Sequence, residues 1–159
     1  MTTFMPIFIT IISGVFVFII GRFIEKLFID PMKEHKMVIA EIYDGLIYHA
    51  NKIGNPLAIS SKTDPDALKE YNQASNELRR MSTKLRAATF NLNGVYWIYR
   101  LIFWGPKKKN ISEVCRALIG LSNCLTYITN IEHIERNSKK TELIMEKLKL
   151  TKFESKIQK

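Results

Sequence analysis

From Phe4 to Gly21 the chain is apolar at nearly every position, FMPIFITIISGVFVFIIG, and the first charge is Arg22. Beyond it, hydrophobic residues recur at threes and fours among polar ones. The first pattern predicts a helix that is apolar on every side, and the second predicts amphipathic helices with one buried face. At about 1.5 Å per residue the first run spans about 27 Å, close to the roughly 30 Å hydrocarbon core of a bilayer. Twelve of its eighteen residues are Ile, Phe or Val. They favour insertion by about 4–7 kcal/mol before small penalties for Pro6, Thr10, Ser13 and the glycines. Pro6 falls in the first turns, where its missing donor costs little. A cleaved signal peptide requires a basic leading region and a small-x-small cleavage site, and neither is present. Residues 1–28 are therefore read as a transmembrane helix with a juxtamembrane extension.

The run is not uniform around its circumference. Thr10, Gly14, Val17 and Gly21 follow one another at spacings of four, three and four, with Ser13 beside them, while Phe8, Ile12, Val15, Phe16 and Ile19 point elsewhere. A stripe of small residues lets membrane helices approach closely, although Gly and Ser are also frequent in such helices without packing. One span cannot enclose a channel, so conduction requires a ring of subunits.

Residues 29–150 read as a bundle of about four helices, giving an all-α chain with one span. Asp30-Pro31 is a cap-and-first-turn pairing and predicts a break followed by a new helix. Ile39, Ile42, Tyr43, Leu46, Ile47, Ala50 and Ile53 form its apolar stripe, and Gly54-Asn55-Pro56 ends it. Asp64-Pro65 repeats the start signal. Leu68, Tyr71, Ala74 or Ser75, Leu78, Met81, Leu85 and Ala88 then face the core, with Arg79, Arg80, Lys84 and Arg86 on the polar side, until Asn93-Gly94. Asn110 or Ser112 is expected to cap a helix with a Val114, Leu118, Leu121, Leu125, Ile128 seam. Asn137-Ser138 is expected to cap a last stretch containing Leu143, Ile144, Leu148 and Leu150. Residues 151–159 read as a flexible basic tail. No strand-period segment stands out.

Between the second and third of these helices lies VYWIYRLIFW, residues 95–104, with five aromatics and one charge, followed by Gly-Pro and three lysines. Tyr96, Trp97, Tyr99, Arg100, Trp104, Lys107, Lys108 and Lys109 have the composition of a membrane-interface segment. Packing into the bundle and stacking on nucleic acid are the competing readings.

Net charge is +9, all of it outside the span. Such a balance suits an anionic membrane face or a nucleic acid, and also occurs on plain solvated helices. Arg22, Lys26, Lys33 and Lys36 follow the span, so the positive-inside rule places the N-terminus outside and the bundle in the cytoplasm. Cys115 and Cys124 stand nine apart in one predicted helix, on opposite sides, which excludes an intrahelical disulfide and fits a reduced compartment.

Catalytic signatures are missing: no Walker loop, dinucleotide turn, nucleophile elbow or HExxH occurs. His35, His49 and His133 are isolated. His49 lies near the stripe of its helix and is expected to be neutral and hydrogen-bonded. His133 stands among Glu132, Glu135 and Arg136, in solvated company. Helical HEPN ribonucleases place an Arg and a His at a phosphate, whereas Arg116 here leads to Asn123. Asn cannot serve as acid or base near neutral pH. No metal, cofactor or small-molecule substrate is implied, and the chain is read as non-enzymatic.

The stretches IDPMKEHKMVIAEIYDGLIYHAN, ASNELRRMSTKLRA and RALIGLSN after a single span resemble a group of small single-span bacterial membrane proteins. The layout is also similar to the membrane accessory proteins of type VI CRISPR systems, described as divergent HEPN-like and pore-forming. That resemblance implies an inner-membrane location, self-association and a role in antiviral defence. The expected function is an oligomeric membrane effector that permeabilises or depolarises the inner membrane, with membrane lipids as contacts. Alternatives are a tethered module that recruits a protein, RNA or ribonucleoprotein, and a degenerate HEPN-like ribonuclease. Asn123 is expected to bond to a neighbouring helix or subunit.

Overall fold

The computed structural model describes residues 4–60, 63–127 and 133–150. It is all-α apart from one two-residue strand pair, and a long apolar helix leads into a helical bundle. Helix α1, Phe4–Ile24, is exposed at every described side chain. It passes without a break through one π-helical turn, Glu25–Ile29, into α2, Asp30–Tyr48. The rod from Phe4 to Tyr48 is thus about 68 Å long.

The predicted break at Asp30-Pro31 is therefore absent. Ile29 and Asp30 are both helical, at φ −74°, ψ −48° and φ −62°, ψ −47°. Proline inside an α-helix removes one hydrogen bond and drives its ring into the carbonyl four residues back. The π turn directly before it relieves that conflict by widening the helix. Asp30 N–H accordingly reaches back five residues to the Glu25 carbonyl.

Past His49, whose φ −94°, ψ 10° kinks the rod, a short helix α3 runs Ala50–Gly54. Helix α4 is Pro65–Asn91, and here the cap reading holds: extended Asp64 accepts from Asp66 N–H at 3.1 Å. Helix α5 is Tyr96–Phe103, α6 Lys108–Ser122 and α7 His133–Lys147. Helix α6 starts from Lys107 without a side-chain cap, so neither Asn110 nor Ser112 caps it. Asn137, expected at a helix start, lies a turn inside α7 and is buried. Strands β1, Leu57–Ala58, and β2, Thr126–Tyr127, pair in parallel and join the loops after α3 and α6. Two residues carry no periodicity, which is why the pattern did not reveal them. Ile128 and the 151–159 tail lie outside the described residues.

The core follows from these faces. α4 packs against α2 on one side and α6 on the other, and α6 packs against α7. Ile42, Leu78, Leu85, Val114, Leu118, Leu121, Leu125 and Ile144 are buried at its centre. The α2 stripe is narrower than expected: Val38, Ile42, Leu46 and Ile53 are buried, whereas Ile47 and Ala50 face solvent. Small residues bring α4 and α6 together. Ser82 Oγ donates to the Cys115 carbonyl at 3.0 Å, and Cys115 Sγ donates back to the Ser82 carbonyl at 3.5 Å. Both cysteines are free and buried, and Cys124 lies past the end of α6 rather than within it.

Candidate functional site

The features with chemical or binding potential gather where the rod leaves α1. On α1 itself, Thr10, Ser13, Gly14, Val17 and Gly21 are all exposed. Ser13 Oγ donates to the Ile9 carbonyl at 2.8 Å, so its hydroxyl is satisfied within its own helix. A Cβ added at Gly14 or Gly21 would meet nothing within 4 Å, leaving this face open to a neighbouring helix.

Helix α5 lies against the first turns of α2. Leu92, Tyr96 and Tyr99 bury themselves with Met32, and Phe28, Val95 and Ile98 pack around them. Of the readings open for 95–104, packing into the bundle holds for Tyr96 and Tyr99, which had been grouped with the interfacial residues. Tyr96 and Tyr99 are core residues, because a short amphipathic helix must turn one side inward. The remaining apolar side chains face out: Trp97 is 68% exposed, Leu101 72%, Ile102 60% and Trp104 77%. Basic groups stand at both ends of this helix. At its start, Lys108 Nζ donates to Asn93 Oδ1 at 2.6 Å and sits 5.2 Å from the Tyr96 ring centroid. At its end, Lys36 Nζ lies 4.0 Å over the Phe103 ring, and Lys149 Nζ donates to the Trp104 carbonyl at 2.8 Å. Arg100, Lys107 and Lys109 are exposed beside them. Helix α5 ends on Trp104 in the left-handed region, φ 51°, and the chain then folds back so tightly that a Cβ at Gly105 would collide with the Tyr99 ring.

Behind α5 is a buried polar cluster that sequence reasoning missed. His35 is fully buried. Its Nδ1 is 3.0 Å from Tyr99 Oη and its Nε2 is 3.1 Å from Thr89 Oγ1. Thr89 donates its own proton to the Leu85 carbonyl at 2.7 Å, so it can only accept from Nε2–H. The imidazole is thereby fixed as the Nε2–H tautomer, with Tyr99 O–H donating to Nδ1. Burial lowers its pKa to about 4, and burial pushes the Tyr96 and Tyr99 phenols up to about 12, so all three stay neutral. Tyr96 O–H donates to the Pro106 carbonyl at 2.8 Å.

The other candidates are structural. His49 is buried, with Nε2 2.6 Å from Glu77 Oε2. That bond, then one from Gln73, holds the Glu77 carboxyl below its usual range. Closed off from solvent, His49 joins α2 to α4. The side chain of His133 lies outside what is described. Arg116 is exposed on α6, and Asn123 does not pair with it. Asn123 is exposed at the end of α6, and its Oδ1 accepts from Arg79 Nη2 at 2.8 Å, while Arg79 Nε donates to Ser122 Oγ at 3.1 Å. Arg79, which had read only as part of a polar face, places its charge at the negative end of the α6 dipole. Arg79→Ala should lower stability by about 1 kcal/mol in denaturant unfolding, since the pair is exposed.

Among the described residues no group of His, Cys, Asp or Glu is arranged to hold a metal ion. Compared with known proteins, the chain matches no family model, no curated protein and no solved structure.

Proposed function

We propose that the protein is an oligomeric membrane effector. Its cytoplasmic bundle gathers copies of α1 into a ring that permeabilises the bacterial inner membrane, with the N-terminus outside. The observation that carries this reading is the unbroken rod. An exposed apolar helix of 21 residues, about 31 Å, continues directly into α2, which forms part of the bundle core. With no linker between them, the rotation and spacing of the bundles in an assembly fix the rotation and spacing of the spans. Helical continuity into the core supports reading α1 as a retained span. The antiviral setting is supported by the sequence resemblance alone.

The test uses the full chain in detergent and in dye-loaded vesicles. A closed symmetric particle and dye release are expected. Gly14→Ile with Gly21→Ile should abolish release while leaving the bundle folded, because both positions open onto empty space in a single copy. A monomer in detergent together with unchanged leakage in the double variant would defeat the proposal. A monomer that still binds a protein or ribonucleoprotein would return the tethered-module reading.

A further inference from the structure

We infer that the outer face of α5 is a second membrane contact, which lays the bundle against an anionic lipid surface beside the span. The inference rests on the reading of α1 as membrane-spanning, and it deepens that reading by naming what covers α5.

Three observations place lipid here. The first is height along the rod. The exposed apolar surface does not stop with α1, because Leu27 and Ile29 beyond it are 58% and 42% exposed. Lipid-facing character therefore reaches the level of Phe28, and α5 packs at Phe28 and Met32. Phe28 is one turn, about 6 Å, beyond Ile24, comparable to the thickness of the headgroup layer. The second is the division of α5 itself. Tyr96 and Tyr99 satisfy their hydroxyls inside, while Trp97 and Leu101, four apart, share the outer face with Ile102 nearby. Trp97, exposed on that face, matches the headgroup preference of tryptophan, while Trp104 lies farther along the rod beside Lys36 and Ile39. The third is charge. Arg100 and Lys107 to Lys109 border the face, and Lys36 and Lys149 stand at the end where Trp104 lies. Near the approach to α5, the Glu34 carboxylate accepts from Asn91 Nδ2. An apolar face within a collar of amines fits phosphate headgroups over acyl chains. It fits less well a second copy of this chain, whose own α5 would bring the same positive charges against it.

The protein carries its own probe. Both tryptophans of the chain, Trp97 and Trp104, lie on this segment, so intrinsic emission reports on it alone. The full chain would be reconstituted into vesicles of phosphatidylcholine with and without phosphatidylglycerol. Quenching would be read from brominated acyl chains on the lipid side and iodide on the water side, and carbonate extraction would report on the span. The expected result is bromolipid quenching with shielding from iodide, stronger in the anionic vesicles. Lys107→Gln with Lys109→Gln should lower the docked-to-free ratio by roughly twenty-five-fold, taking about fivefold per lysine. Leu101→Ser with Ile102→Ser, both exposed and so compatible with folding, should raise the iodide-accessible fraction. A chain that resists extraction while its tryptophans escape bromolipid quenching overturns the inference and leaves the reading of α1 standing. Shielding from iodide without lipid quenching overturns it in favour of a covering protein copy. A chain released by carbonate overturns both.

Discussion

Replacing His35 by alanine is expected to cost about 3–4 kcal/mol in stability, the sum of a cavity and of two polar partners left unpaired in the core. Tyr99 O–H and Thr89 Oγ1 both meet the imidazole, and its ring packs edge-on against Tyr99 with centroids 4.9 Å apart. The wild-type protein should also be acid-sensitive through this residue. Its pKa is lowered from 6.5 to about 4 in the fold. Between those values the unfolded chain takes up a proton that the folded chain refuses. Stability is therefore unaffected above about pH 6.5, falls as the pH drops, and has lost about 3 kcal/mol by pH 4. His35→Gln can still donate to Thr89 and accept from Tyr99, and it does not titrate. Denaturant unfolding from pH 7 to 4 should show this loss in the wild type and its absence in the glutamine variant. Equal slopes in the two proteins would remove His35 as the cause.

The same residue matters for the surface above it. Tyr99 and Tyr96 are the inward anchors of α5, so His35 determines how firmly α5 is held against α2. Loss of the imidazole should loosen α5 before it opens the main core, because Met32, Leu92, Tyr96 and Tyr99 form a cluster of their own, apart from the residues around Leu118. The emission of Trp97 and Trp104 should then shift at lower denaturant than far-ultraviolet dichroism does in His35→Ala.

Two identical dipeptides show how far the sequence could be read. Asp64-Pro65 and Asp30-Pro31 carry the same helix-start chemistry. The first starts α4 because the chain arrives extended and Asp64 is free to cap Asp66. The second does not, because the chain arrives there already helical from the long apolar α1. Continuing the helix and widening one turn accommodates Pro31, and local pattern cannot weigh that. The buried faces of α4 and α6 were legible because each is a long row at regular spacing. The division of residues 95–104 was not: its aromatics are dense on both sides, and only contact with Met32 and His35 decides which turn inward. Arg79 was equally hidden, since its partners Ser122 and Asn123 are distant in sequence.

Asn137 is the other misread position, and its substitution should have the second large effect. Next to Ser138 it looked like a cap, yet it is fully buried in α7. Its Nδ2 donates to the Ile53 carbonyl at 3.0 Å and to the Cys124 carbonyl at 3.4 Å. Those two oxygens belong to the ends of α3 and of the turn after α6, near where β1 and β2 pair. One amide thus satisfies backbone acceptors from two loops that helix geometry leaves without partners. Asn137→Leu removes both donors and should cost about 2–3 kcal/mol. Asn137→Asp should cost more at neutral pH, about 3–5 kcal/mol, because it turns a buried carboxylate towards two carbonyl oxygens. Burial raises the pKa of such a carboxyl in the folded state, so its penalty is full above that raised pKa and fades as the pH falls towards the unfolded value near 4. The gap between Asn137→Asp and wild type should therefore narrow on acidification, while the gap for Asn137→Leu stays constant. Parallel denaturant titrations at pH 7 and 4.5 would separate the two, and a pH-independent gap for the aspartate variant would mean that the site is open to water.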